Sequence, residues 1–175
     1  MNIVNTIITK EIKTMTKRYN NANEAYEAVL DEILQQGIDF GDTKAIFNCG
    51  FYIDNPSDKA ITNTERNWNK KYAAAEWAWY LSGDRSVEKL GNLYGKIPPI
   101  WKRMADKNGN VNSNYGWQWK RNGQLDEVVD MLRYNPSTRQ AAISIYDGKE
   151  WDRYICDTPC TYAVQFSIIN NKLCM

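Results

Sequence analysis

Residues 157–175 read DTPCTYAVQFSIINNKLCM, and this stretch decides the fold class because its pattern changes three times. Pro159 fixes its own φ and lacks an N–H donor, so the residues around it read as a turn. Residues 161–169 then alternate as a strand does. Asn170-Asn171 is a turn pair, since asparagine tolerates left-handed backbone. Lys172-Leu173-Cys174-Met175 opens a returning strand. A second alternating run lies upstream, at 139–146.

Working outward, the chain is helical. Tyr26, Val29, Leu30, Ile33 and Leu34 predict a helix over 23–36, capped by Asn23 and ended by Gly37. Residues 44–53, KAIFNCGFYI, read as one strand. Thr62-Asn63-Thr64-Glu65 has the form of a capping box and opens a helix running to about Leu81, stopped by Gly83. A short helix covers Val87 to Leu90. Pro98-Pro99 starts another that ends near Asn108-Gly109. Leu125, Val128, Val129 and Leu132 mark a further helix, closed by Asn135-Pro136. Helices interleaved with strands predict an α/β or α+β domain. The length of 175 residues suits a single one.

Composition removes several function classes. The 22 Lys plus Arg against 21 Asp plus Glu leave neither a basic footprint for nucleic acid nor an acidic tail. A small anion held by one or two arginines is compatible with that balance. No run approaches the roughly 18 apolar residues that span a bilayer. The opening residues are too interrupted by Lys and Glu for a signal peptide, and Met15 is an alternative start. Four cysteines are few for a disulfide scaffold, which points to a reducing cytoplasm. Histidine is absent, which removes Ser-His-Asp and Cys-His pairs, HExxH zinc sites and any histidine base. Cys156 and Cys160 stand four apart with no second close pair to complete a zinc tetrahedron, so no metal is expected.

Two residues carry chemistry. Glu76 lies in NWNKKYAAAEWAWYLSGD (67–84), where Trp68, Tyr72, Glu76, Trp79 and Tyr80 share one helix face. A carboxylate inside an aromatic stripe is costly to bury unless paired, hydrogen-bonded or protonated. Periodicity alone also admits a glutamate at the stripe's edge whose head reaches solvent or a lysine. Cys160 leaves the proline-fixed turn directly before a strand, where a sulfur can be aimed into a cleft. Without an imidazole it needs cations or backbone donors to become a thiolate. Spacing alone favours an inert, small apolar cysteine.

Four ordered segments add a resemblance. EWAWYLSGD (76–84), IWKRMADKNGNVNSNYGWQW (100–119), NPSTR (135–139) and TPCTYAVQF (158–166) resemble the thymidylate synthase and deoxycytidylate hydroxymethylase superfamily over roughly residues 20–175. The matching family segments read like ELLWFLxGD, IWDEWAxxxGxLGPVYGxQWR, NPxSRR and PPCHxxxQF. NSNYGW and the Cys160-Thr161 pair look more like the phage-type hydroxymethylases. The resemblance implies a mixed sheet flanked by helices, with residues 1–18 an amino-terminal extension and 19–175 a partial catalytic domain.

It also implies an activity. Cys160 matches the family nucleophile, which adds to C6 of a pyrimidine deoxynucleoside monophosphate and prepares C5 to take a one-carbon unit from 5,10-methylenetetrahydrofolate. Glu76 matches the glutamate that organises water and relays protons, and Tyr115 the tyrosine that assists loss of the C5 proton. Trp101 matches a tryptophan lining the folate site. Arg139 matches one of two arginines that reach across a homodimer to the partner's nucleotide phosphate. The sequence departs from the family in placing Gln140 where the second arginine stands. It also has Thr161 in place of a histidine, Met104 in place of a second folate-site tryptophan, and no arginine in QQGIDFGDT (35–43).

The family segment that would follow Met175 holds an Arg-Ser phosphate pair and the Asn or Asp that selects uracil or cytosine. Methylation of dUMP and hydroxymethylation of dCMP or dUMP both stay open on these residues. The end at Met175 reads as a cut carboxy-terminal part. The reading from another class is therefore a truncated or split, non-catalytic fragment that only binds a partner.

Overall fold

The computed structural model describes residues 17–147 and 156–175. These form two compact units that divide between Trp68 and Asn69. The 1–18 extension falls almost wholly outside the described residues.

In the first unit, β1 (Lys17–Tyr19) runs parallel to β4 (Phe51–Ile53). Between them come α1 (Ala22–Gln36) and an antiparallel hairpin of β2 (Ile38–Phe40) and β3 (Thr43–Ala45). The helix begins one residue before the expected start, and its cap is Asn21, which accepts from the Glu24 amide at 2.9 Å. The Glu24 carboxylate returns a bond to the Asn20 amide, also at 2.9 Å, so two orphan N–H groups are satisfied together. Asn23, the expected cap, instead accepts from the amides of Thr62 and Asn63. The expected strand over 44–53 is interrupted because Asn48 takes a left-handed φ of 55°.

The second unit opens with α2 (Lys70–Ser82), capped by Asn69 and ended by Gly83 at φ 66°. The stop is the one expected; the start is not. Asn63 Oδ1 accepts from the amides of Glu65 and Arg66, closing a local turn, and Asn67 at φ 48° blocks helix propagation. Then come α3 (Val87–Tyr94), α4 (Pro99–Met104), α5 (Tyr115–Lys120) and α6 (Gln124–Tyr134). The third helix is a turn longer than expected, and the fourth ends well short of Asn108. There the Asp106 carboxylate accepts from the amides of Asn108 and Asn110, which holds a loop.

The two alternating runs do form strands. β5 (Ala142–Ser144) pairs antiparallel with β6 (Ala163–Gln165). The run 161–169 is two strands, however, parted at Phe166. β7 (Ser167–Ile169) turns through Asn170 and Asn171, both left-handed, and pairs in full with β8 (Lys172–Cys174). The returning strand therefore covers β7, while β6 has β5 as its neighbour. The architecture is α+β, with its described strands in four two-stranded ladders.

Two apolar clusters support this unit. Trp79, Leu90 and Val111 centre the first, with Tyr72, Tyr80, Trp101 and Met104 packed around them. Val128, Leu132, Ala141, Ile143 and Ile145 form the second, beneath Trp119, Tyr146 and Phe166.

Candidate active site

The cysteine turn is held from several sides. Asp157, only 3% exposed, turns its carboxylate onto Ser113, taking the backbone N–H at 2.6 Å and the hydroxyl at 2.8 Å. Asn112 donates to the Asp157 carbonyl at 2.9 Å. Tyr146, just beyond β5, donates to the Pro159 carbonyl at 2.6 Å. Arg85 steadies Asn112 in turn: its guanidinium bonds the Val111 carbonyl and Asn112 Oδ1 and lies 4.4 Å from the Trp117 ring centre. Cys160 emerges from this frame exposed, and it is a free thiol.

Tyr115 meets the turn from the first position of α5. Its hydroxyl oxygen accepts from the Cys160 amide at 2.8 Å and the Thr161 amide at 3.2 Å. Two features place it there. Asn114, fully buried, caps α5 through the Trp117 amide and donates to the carbonyls of Trp79 and Asp84 at the end of α2. Gly116 lets the two helices touch: a Cβ on it would stand 1.5 Å from the Tyr80 carbonyl oxygen. The Tyr115 ring packs edge-to-face on Tyr80 at 5.6 Å and stacks with Trp119 at 6.4 Å.

Glu76 lies one turn before Tyr80 on α2, half-buried. Tyr72 donates its hydroxyl to Glu76 Oε1 at 2.7 Å and accepts from the Trp101 indole N–H at 2.5 Å. The glutamate is thus hydrogen-bonded among aromatics. Burial pushes the Tyr72 and Tyr80 hydroxyls well above the ordinary tyrosine range, and the Glu76 carboxylate beside them adds to the rise. Trp101 also packs edge-to-face on Trp79 at 5.5 Å.

Four of the five residues picked from the sequence therefore gather around the carboxy-terminal half of α2. Cys160 and Tyr115 touch directly, Glu76 and Trp101 are joined through Tyr72, and Tyr80 lies between the two pairs. Arg139 does not join them. It is exposed, and its backbone carbonyl accepts from the Gln165 side-chain amide at 3.3 Å. Sequence reasoning missed Asp157, Ser113, Asn112 and Tyr146. The one local hint was the polar run Asn112-Ser113-Asn114 directly before a helix.

The family model of thymidylate synthase matches residues 24–175, which include every one of these side chains. The chain belongs to the thymidylate synthase family. It is 31% identical over 162 residues to the thymidylate synthase of Wigglesworthia glossinidia brevipalpis, covering 85% of this chain and 59% of that protein. Its fold is similar to that of thermostable thymidylate synthase A from Bacillus subtilis, with a TM-score of 0.55 at 23% identity, over 86% of this chain and 61% of the other. The chain thus spans about three fifths of the length of these thymidylate synthases. No helix among the described residues is long and apolar enough to cross a membrane.

Proposed function

We propose that this chain carries the nucleophile-bearing part of a pyrimidine deoxynucleotide C5 one-carbon transferase, a cytoplasmic homodimer that methylates dUMP with 5,10-methylenetetrahydrofolate. The observation that carries the reading is the exposed Cys160 thiol on a rigid turn whose amide is bonded to Tyr115. Sulfur adds to C6, the C5–C6 electron pair moves toward C5, and C5 becomes the carbon nucleophile. The Tyr115 oxygen accepts two amides, so its O–H is left to donate outward; it holds a water that takes the C5 proton. Glu76, held by Tyr72, orders water and relays protons at the ring.

The residues suit a stacked folate. Trp101, Tyr72, Tyr94 and Met104 are partly buried around one core cluster, an aromatic and polarizable set that fits an aryl or pterin ring. When bound, the folate supplies a carbon at the oxidation level of formaldehyde. Arg139 binds the nucleotide phosphate across the dimer. Residues 19–175 are then part of the catalytic domain, and residues 1–18 extend it.

Hydroxymethylation is the second reading, favoured by Cys160-Thr161 and by Asn112-Ser113-Asn114 before Tyr115. The test is covalent capture. With 5-fluoro-dUMP and methylenetetrahydrofolate, peptide mass mapping is expected to place the adduct on Cys160. Cys160→Ser should abolish it, and Cys156→Ser and Cys174→Ser should not. An adduct on another cysteine, or none from folded protein, overturns the reading and favours a non-catalytic fragment. With 5-fluoro-dCMP as a second probe, preferential capture would favour hydroxymethylation.

A further inference from the structure

We propose that Asp157 is a positioning residue: its carboxylate latches the cysteine turn onto the segment that presents Tyr115, so that thiol and phenol are fixed as one unit. The inference rests on Cys160 being the nucleophile.

Asp157 precedes Cys160 by three residues and is 3% exposed. A carboxylate that deep needs its oxygens satisfied, and here both oxygens are held by one residue. Ser113 gives its N–H to one oxygen at 2.6 Å and its hydroxyl to the other at 2.8 Å. Ser113 stands two residues before Tyr115, and Tyr115 in turn receives the Cys160 amide at 2.8 Å. The two segments therefore meet at two points. One contact is at Asp157 with Ser113, and the other is at Cys160 with Tyr115. Each contact is three residues or fewer from the next along either segment. A ring of this kind leaves the turn no hinge between the latch and the sulfur. Asn112, donating to the Asp157 carbonyl, doubles the attachment at the same end.

Removing the carboxylate while keeping the fold should release the turn locally. Asparagine can keep both contacts, because its oxygen accepts the Ser113 N–H and its amide donates to the serine oxygen. Shape and hydrogen bonding, not charge, are what the latch requires.

The experiment measures amide hydrogen exchange by NMR in wild type, Asp157→Ala, Asp157→Asn and Ser113→Ala, alongside the rate of 5-fluoro-dUMP capture. In Asp157→Ala the Cys160 and Thr161 amides should exchange at least tenfold faster, while α2 and α6 amides keep their wild-type rates. Asp157→Asn should return Cys160 and Thr161 to within about threefold of wild type. Ser113→Ala, which keeps the N–H bond and serves if Asp157→Ala fails to fold, should fall between. Unchanged exchange at Cys160, or acceleration spread evenly through α2 and α6, overturns the latch, as does an Asp157→Asn variant no better than alanine. Capture reports separately. Wild type that shows slow Cys160 exchange yet forms no adduct sinks the nucleotide chemistry and leaves the latch standing.

Discussion

Gly116→Ala should be among the most damaging single-methyl additions available to this protein. The added Cβ would lie 1.5 Å from the Tyr80 carbonyl oxygen and 2.4 Å from its carbon. An ordinary carbon–oxygen contact is roughly twice the first distance, so α5 would have to retreat from α2 by nearly 2 Å, judged against optimal separations of about 3.5–4.0 Å. Both partners are helical backbone, and no rotamer change relieves the clash. The retreat strains the edge-to-face pair of Tyr80 with Tyr115, worth about 0.5–1.5 kcal/mol. It also stretches the buried Asn114 bonds to the Trp79 and Asp84 carbonyls, at about 1–3 kcal/mol for each group left unsatisfied. Overpacking itself costs about 1–3 kcal/mol. With both carbonyls counted these reach about 4–10 kcal/mol, a large share of the roughly 5–15 kcal/mol that holds a domain together. Urea unfolding followed by tryptophan fluorescence reads the loss directly. A variant whose unfolding free energy falls by less than about 1 kcal/mol would show that α5 and α2 do not make this close approach.

Other outcomes follow from the same geometry. Tyr72→Phe strips the Trp101 N–H and Glu76 of their shared partner and should cost about 1–3 kcal/mol; a double-mutant cycle with Trp101→Phe should show coupling, and strict additivity would refute the shared bond. Burial raises the Tyr72 and Tyr80 hydroxyls above the unfolded tyrosine value, so the folded state holds those protons longer. Their contribution to stability is intact below about pH 10 and is lost as pH climbs past it; urea midpoints at pH 9 and 11 should diverge less in Tyr80→Phe than in wild type. Arg139→Ala should weaken nucleotide monophosphate binding tenfold or more, and Gln140→Arg should tighten it. Calorimetry showing equal affinity for nucleoside and nucleotide would eliminate this phosphate site.

The residues that were legible from sequence are those whose signal is local. Gly83 announced the end of α2, because a left-handed terminus without a Cβ is its usual stop. Asn170-Asn171 announced the β7–β8 turn for a related reason. Failures arose where a side chain formed a different bond from the one its spacing suggested. Thr62 to Glu65 resembled a cap, but Asn63 closed a turn on its own neighbours. α5 has six residues, too short to display a period, and only its capping asparagine and tertiary contacts sustain it. The site divides the same way. Glu76 drew notice as a charge in an aromatic stripe, and Cys160 as a sulfur after a proline. Glu76's partner Tyr72 is a helical turn away, but Trp101 reaches Tyr72 across 29 residues and Tyr115 reaches Cys160 across 45, separations no local pattern encodes. Asp157 was invisible because an aspartate before Thr-Pro is also what an ordinary surface turn looks like.

The aromatic ladder from Trp101 through Trp79 and Tyr80 to Tyr115, with steps of 5.5, 5.7 and 5.6 Å, has an optical consequence. Chromophores this close, fixed in asymmetric orientations, share their excited states. The near-ultraviolet circular dichroism of the protein should therefore carry a strong coupled signal from Trp79 and Trp101. The ladder ends against the amide of Cys160. Alkylating Cys160 should therefore change this signal without any added dye.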